Sequence, residues 1–133
     1  LVANEKVVGS SPIARSKKTM SDLASKKCIP CEGNIPPFKI EEIHNYLKKV
    51  DGWSVKEDGL DGYHLTKDYK FENFLKSQEF VNKVGEIAES EGHHPDIWFG
   101  WGYAKIKIYT HAIKGLAESD FILAAKIDKI IND

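Results

Sequence analysis

Residues 96–110 read DIWFGWGYAKIKIYT, and this stretch decides the fold. Its second half alternates, with Ile106 and Ile108 facing one way and the lysines between them the other. A two-residue period of this kind is typical of a β-strand with one dry face and one polar face. Residues 96–101 and 104–110 therefore predict a β-hairpin.

The segments around this hairpin predict three helices and a second hairpin. Apolar residues recur at helical spacing over residues 38–50, 71–90 and 118–131. Residues 53–57 and 63–69 alternate around a glycine-containing loop. The order α-β-β-α-β-β-α predicts an α+β fold of two layers, in which a four-stranded antiparallel sheet carries the helices on one face. The second helix is expected to bury one stripe, formed by Phe71, Phe74, Leu75, Val81, Val84 and Ala88.

Composition bounds the kind of molecule. The chain has 133 residues and a formal charge of −1. This length favours a single domain. The charge argues against direct nucleic-acid binding, which needs a basic surface to contact phosphates. No apolar run approaches the roughly 18 residues that span a membrane.

The small net charge conceals a basic N-terminal segment. Residues 1–27 hold six basic and two acidic residues, whereas residues 28–133 hold 13 and 18. Because this segment shows no sustained apolar period, we expect a flexible basic tail over residues 1–27 and a folded domain over residues 28–133. Met20 is a candidate start of the compact part, so residues 1–19 read as a presequence remnant, an upstream extension or vector-derived sequence. We expect a cytoplasmic protein, or an organellar one if a presequence was removed.

Residues that can carry chemistry are concentrated where the second helix ends. His93 and His94 are adjacent, and Glu89 precedes His93 by one helical turn. Pro95 cannot prolong a helix, so the two histidines lie on the connection into the next strand. His111 follows the antiparallel partner strand and is expected to return close to them. Three imidazoles at one site are suited to proton transfer without a covalent intermediate.

Two of these features have alternative interpretations. Asp120 either orients a histidine ring or accepts the unpaired N–H groups at the start of the third helix. The histidines alternatively bind zinc, although adjacent residues on an extended chain point to opposite faces, so His93 and His94 do not chelate one ion easily. His44 and His64 are expected on the solvated surface.

Cys28 and Cys31 form a lone C-x-x-C motif. Without a second pair or a βαβ context, this motif is weak evidence for zinc binding or redox chemistry. We expect two free thiols near the start of the fold.

The spacing Glu89-x3-His93-His94-Pro95-x5-Trp101-x9-His111-x8-Asp120 resembles the signature of pterin-4a-carbinolamine dehydratases. The sequence is also similar to that family at residues 93–97, at residues 120–124 and at Gly52-Trp53 after the first helix. The resemblance extends over about residues 38–131. It implies an α-β-β-α-β-β-α subunit that assembles into homodimers and homotetramers, which would also cover open sheet edges.

The resemblance implies dehydration of 4a-hydroxytetrahydropterin to quinonoid dihydropterin in tetrahydrobiopterin recycling. It implies that His93 and His111 are the acid/base pair and that His94 holds the pterin, with Glu89 and Asp120 in support. The implied substrate-binding residues are Trp53, Gly92, Tyr109, Thr110 and Ala112. No metal or redox cofactor is implied, because the oxidation state does not change.

Two positions depart from the family's pattern. Gly92 stands where relatives can carry an acidic residue, and Ala117 stands where Ser or Thr often opens the last helix. Neither departure removes a histidine. The resemblance also implies an alternative function, because some animal members bind a helix of a homeodomain transcription factor as dimerisation cofactors. The presence of all three histidines favours the enzyme.

Overall fold

The computed structural model describes residues 23–28, 36–58 and 62–132. Within these ranges the helices and strands follow the predicted order: α1 Ile40–Leu47, β1 Ser54–Asp58, β2 Gly62–Lys70, α2 Phe74–Glu91, β3 Asp96–Gly100, β4 Tyr103–Ile108 and α3 Glu118–Asn132. The predicted α+β class is confirmed, and the ends of the elements differ from the predictions by at most three residues. No helix in the described ranges has the length and apolarity needed to cross a bilayer.

The four strands form one antiparallel sheet in the order β1-β2-β4-β3, so β1 and β3 are its edges. The predicted alternation of β4 is confirmed, because Ala104, Ile106 and Ile108 are fully buried against the helices. Asp96 pairs with Lys107. The chain that enters β3 and the chain that leaves β4 therefore lie at the same end of the sheet, which is where the histidines are.

The predicted apolar stripe of α2 is partly wrong. The buried side chains of this helix are Ser77, Phe80, Val84 and Ala88, whereas Phe74 and Leu75 are exposed. The helix begins at Phe74, with the Asn73 side chain accepting the Lys76 N–H at 2.9 Å. Its first turn therefore overhangs the sheet edge, where Phe74 meets Phe99 with ring centroids 5.6 Å apart.

The prediction for His64 is also wrong, whereas that for His44 is confirmed. His44 is exposed on α1, but His64 is buried. His64 lies on β2, an inner strand, opposite Lys56 of β1. Outward-facing side chains of an inner strand are covered by the long side chains of both neighbouring strands, and alternation alone does not show this.

Residues 23–28 form an N-terminal strap that contacts the domain. Leu23 belongs to the hydrophobic core, and the Lys126 Nζ donates to the Ala24 carbonyl oxygen at 2.6 Å. The expected boundary after residue 27 therefore runs through a segment that packs on the domain. Cys28 is a free thiol, as expected. Cys31, the tail over residues 1–22 and the hairpin loop at residues 59–61 lie outside the described residues.

Candidate active site

His93 is directed into the protein by the turn that ends α2. Gly92 has a left-handed backbone with φ of 66°, and its N–H donates to the Ala88 and Glu89 carbonyls. Glycine adopts this conformation without the steric cost of a Cβ atom. The chain then turns so that His93 Nε2 lies 2.7 Å from Asp120 Oδ1. The two side chains are 14% and 0% exposed, so this is an almost fully desolvated pair.

Asp120 combines both roles considered from the sequence. Its Oδ2 accepts the Thr110 hydroxyl and the Ala117 N–H, each at 2.8 Å, while Oδ1 faces His93. Ala117 precedes α3 and has no side-chain acceptor of its own, so the carboxylate supplies the cap. A carboxylate only accepts, so a hydrogen bond in this contact requires the proton on His93 Nε2; in a ring with a single proton, Nδ1 is then the acceptor.

His94 points the other way, as predicted for adjacent residues on an extended chain. Its Nε2 lies 2.8 Å from Glu89 Oε1, and both side chains are exposed. The pair joins the last turn of α2 to the connection that follows it. An exposed pair of this kind is worth about 0–1 kcal/mol, so it orients the ring more than it stabilises the fold.

His111 lies just beyond β4 in a closed loop. The loop is bounded by the Thr110 N–H, which donates to the Gly115 carbonyl at 2.9 Å. His111 and Ala112 are exposed in its short 3-10 turn. The His111 ring packs on Tyr109 with centroids 4.3 Å apart, so Tyr109 limits the orientations of His111.

These contacts join most of the predicted site at one end of the sheet. His93 connects through Asp120 to Thr110, and Thr110 is bonded in sequence to both Tyr109 and His111. Glu89 and His94 form a second pair beside this chain of contacts. Gly92 supplies the turn between the two pairs.

Trp53 is not brought to these histidines. It precedes β1, whereas His93 precedes β3 at the opposite edge, and three strand spacings of about 4.8 Å separate those edges. Its indole N–H donates to both carboxylate oxygens of Asp128 at 3.0 Å. Its implied role in substrate binding stays a prediction that this position does not favour.

The buried cluster around Asp128 was missed by the sequence reasoning. Asp128 accepts from the Lys67 Nζ at 2.9 Å and from the Tyr69 hydroxyl at 3.3 Å, as well as from Trp53. Burial, followed by the neighbouring Asp128 charge, raises the pKa of Tyr69 above its ordinary value. This carboxylate joins α3 to β1 and β2 and contributes to the fold on the side away from the histidines.

Within residues 23–28, 36–58 and 62–132, no group of three or more His, Cys, Asp or Glu side chains is arranged to hold a metal ion. His93 contacts the buried Asp120, whereas His94 contacts the exposed Glu89, so the two rings do not face one common position. The site therefore consists of the buried His93–Asp120 pair and two exposed histidines, His94 and His111.

Comparisons with known proteins agree on one family. The model of the family described as "Pterin 4 alpha carbinolamine dehydratase" matches residues 36–130. A relative from Rubrobacter xylanophilus is 50% identical over 111 residues, which are 84% of this chain and 100% of that protein. A relative from Rickettsia bellii is 50% identical over 111 residues, 83% of this chain and 95% of that protein. Both are provisionally named pterin-4-alpha-carbinolamine dehydratase.

Two solved structures have the same fold. The transcriptional coactivator/pterin dehydratase from Brucella melitensis has a TM-score of 0.64 and 28% identity, covering 71% of this chain and 97% of that one. A pterin dehydratase-like protein, described as a RuBisCO assembly factor in the alpha-carboxysome, has a TM-score of 0.50 and 22% identity, covering 59% and 88%; this likeness concerns the fold alone. The fold and site thus define a small α+β protein with a histidine–carboxylate centre. The chain belongs to the pterin-4a-carbinolamine dehydratase family.

Proposed function

We propose that the protein dehydrates 4a-hydroxytetrahydropterin to quinonoid dihydropterin in tetrahydrobiopterin recycling. Membership of the family supports the reaction class, and the 2.7 Å contact between His93 and Asp120 is the observation that carries the mechanism. The reaction breaks the C4a–O bond and removes the proton on N5, so that water leaves and a C4a=N5 double bond forms. Neither step changes the oxidation state.

His93 is the proposed general base. Its Nε2–H is committed to the Asp120 carboxylate, which leaves Nδ1 of the neutral ring to accept the N5 proton. The buried carboxylate fixes the tautomer and the ring orientation in the same way as the acidic member of a hydrolase triad, without taking the proton itself.

His111 is the proposed general acid. Hydroxide is a poor leaving group, so the C4a hydroxyl needs a proton as its bond to carbon breaks. The exposed ring of His111 is reloaded by solvent, while its packing on Tyr109 limits its orientations. His94 is proposed to hold the pterin with Glu89 behind it, and Gly92, Thr110 and Ala112 are proposed to contact the bicyclic ring.

Stopped-flow turnover of enzymatically generated 4a-hydroxytetrahydropterin tests this function. The double variant His93→Ala, His111→Ala is expected to lose nearly all acceleration, since each group contributes about 10² to 10⁴-fold. His44→Ala, which removes an exposed histidine on α1, is the matched control and should keep the wild-type rate. A double variant as fast as the wild type would overturn the proposal.

The pH dependence of kcat distinguishes the two roles. Loss of the base removes the decline in rate towards acid pH, whereas loss of the acid removes the decline towards alkaline pH. His93→Ala should therefore flatten the acid limb, and His111→Ala the alkaline limb. The reverse pattern would exchange the assignments.

A homodimer or homotetramer is proposed as the working form. Among the described residues β3 pairs with β4 alone, so one side of its backbone has no strand partner there, and exposed apolar side chains lie on it or near its ends: Phe74, Leu75, Trp98, Phe99 and Trp101. An uncovered edge and an apolar patch of this kind favour association with a second copy. Gel filtration with light scattering is expected to give a mass of two or four chains, and a single-chain mass at micromolar concentration would contradict this.

The alternative function, a dimerisation cofactor that binds a helix of a transcription factor, is less favoured. The two relatives at 50% identity carry the dehydratase name alone, whereas the Brucella structure, at 28% identity, carries both the coactivator and the dehydratase name. The enzyme is therefore the function to test first.

A further inference from the structure

We propose that the N-terminal strap, residues 23–28, is a positioning element for the His93–Asp120 pair. This inference rests on the proposed function for its catalytic consequence, but its structural part is tested separately. The strap precedes the region matched by the family model, which begins at residue 36. It connects the C-terminal end of α2 to the N-terminal end of α3.

The first attachment lies beside His93. The Cys28 backbone N–H donates to Glu91 Oε1 at 2.9 Å, and the Lys126 Nζ lies 3.7 Å from Glu91 Oε2. The Glu91 side chain is 8% exposed, so its charge is held by these partners with little help from water. Glu91 is the last residue of α2 and stands two residues before His93, separated from it only by Gly92.

The second attachment lies beside Asp120. The Cys28 thiol donates to the Ser119 carbonyl oxygen at 3.5 Å, and the Lys26 Nζ donates to Glu118 Oε2 at 2.9 Å. Glu118 and Ser119 form the first turn of α3 immediately before Asp120. One residue of the strap, Cys28, therefore contacts the neighbours of both members of the pair.

This geometry couples the two helix ends on which the pair depends. The 2.7 Å contact requires the end of α2 and the start of α3 to keep their separation, and the strap connects them a few residues away. The N–H of Cys28 lowers the pKa of Glu91 below its ordinary value, and Lys126 acts in the same direction against the opposing effect of burial. The carboxylate is thus charged at neutral pH, where a charge-assisted bond is strong and directional.

Variants at the two attachments test the proposal in the full chain. Glu91→Ala removes the first attachment, and Glu91→Gln keeps an oxygen that accepts the Cys28 N–H. Cys28→Ala removes the thiol and its bond to the Ser119 carbonyl oxygen, while the Cys28 N–H to Glu91 and the Lys26–Glu118 pair stay in place. Glu79→Ala is the control, because it breaks the exposed Lys76–Glu79 pair on the same helix, far from His93.

Two measurements are made on each variant. The first is the exchange rate with water of the His93 Nε2 proton, followed by NMR in 15N-histidine-labelled protein. The second is kcat and KM by stopped flow, well below the thermal midpoint of each variant. Glu91→Ala is expected to speed the exchange and to lower kcat, each on the order of 10-fold, with KM little changed, since groups that orient a functional ligand typically contribute 10–100-fold. Glu91→Gln should recover most of both values, and Cys28→Ala should shift them in the same direction by less.

The two proposals, the positioning role of the strap and the catalytic function, are refuted by different results. The proposed role of the strap would be overturned if Glu91→Ala and Cys28→Ala kept the wild-type exchange rate and the wild-type kcat. It would also be overturned if Glu79→Ala changed both values by as much. If His93→Ala is inactive at the same time, the proposed function stands without it. A fully active His93→Ala would overturn the function, and the exchange rate would still decide whether the strap positions the pair.

Discussion

The substitution Asp120→Asn separates the charge of the buried carboxylate from its shape. The amide oxygen can still accept the Thr110 hydroxyl and the Ala117 N–H, but the amide nitrogen then faces His93 and donates. His93 must accept at Nε2 and carry its proton on Nδ1. The proposed base would then present a donor to the substrate, and kcat should fall by about 10² to 10⁴-fold, the usual contribution of general base catalysis.

The cost in stability is smaller and follows from the same contacts. Three hydrogen bonds to a charged group become bonds to a neutral group, and each is weakened by about 1 kcal/mol. The free energy of unfolding should therefore fall by about 3 kcal/mol, which leaves a typical domain folded. Urea unfolding measures this loss, and 15N shifts of the His93 ring report its tautomer.

Asp128→Asn is the matched control. It removes a second buried carboxylate from the same helix, one that accepts from Trp53, Lys67 and Tyr69 and contacts no histidine. A similar loss of stability with kcat close to the wild-type value is expected. Folded Asp120→Asn with a wild-type kcat would refute the role assigned to His93, whatever its stability.

Three further predictions concern the strap and the turns. Burial, followed by the nearby charge of Glu91, raises the pKa of Cys28 to about 12, so in a Cys31→Ser background Cys28 should react with iodoacetamide far more slowly in the native protein than in urea; equal rates would contradict its burial. Because the pKa of Glu91 is lowered below 4.5 on folding, its stabilisation is complete above that value and is lost as pH falls through the folded pKa; between about pH 5 and pH 3, urea midpoints should fall more steeply for wild type than for Glu91→Gln. Gly92→Ala should cost about 1 kcal/mol, since the residue is left-handed and an added Cβ meets nothing within 4 Å. Gly62→Ala should cost more, since Gly62 is also left-handed and its Cβ would clash with the Lys114 carbonyl oxygen; equal thermal shifts for the two variants would contradict this.

The order of the elements was predictable because its signals are local. Apolar periods and turn residues mark each helix and strand within a few residues, and the hairpin topology places His93 near the end of β4. The sequence does not show which histidine contacts the buried carboxylate, or through which ring nitrogen. It depends on the turn at Gly92 and on Asp120, which lies 27 residues from His93 in the chain.

Two features had no local signal. Asp128 contacts residues that lie 59 to 77 positions away in the sequence, and an acidic residue within a helical pattern reads as a solvated face. The sequence assigns residues 23–27 to the tail because their lysines resemble the basic segment before them, although Met20 is a candidate start of the compact part. Leu23 and Ala24 pack on the domain, but two apolar residues show no period.

The distribution of the tryptophans gives the protein two built-in optical reporters. Trp53 is 7% exposed and tied to Asp128 at one edge of the sheet, whereas Trp98 and Trp101, at the other edge, are 49% and 72% exposed. In a lone subunit, acrylamide should quench the last two and spare the first. Assembly through β3 would protect Trp98 and Trp101 from acrylamide, whereas unfolding would expose all three tryptophans. A single quenching experiment can therefore distinguish dissociation of the subunits from loss of the fold.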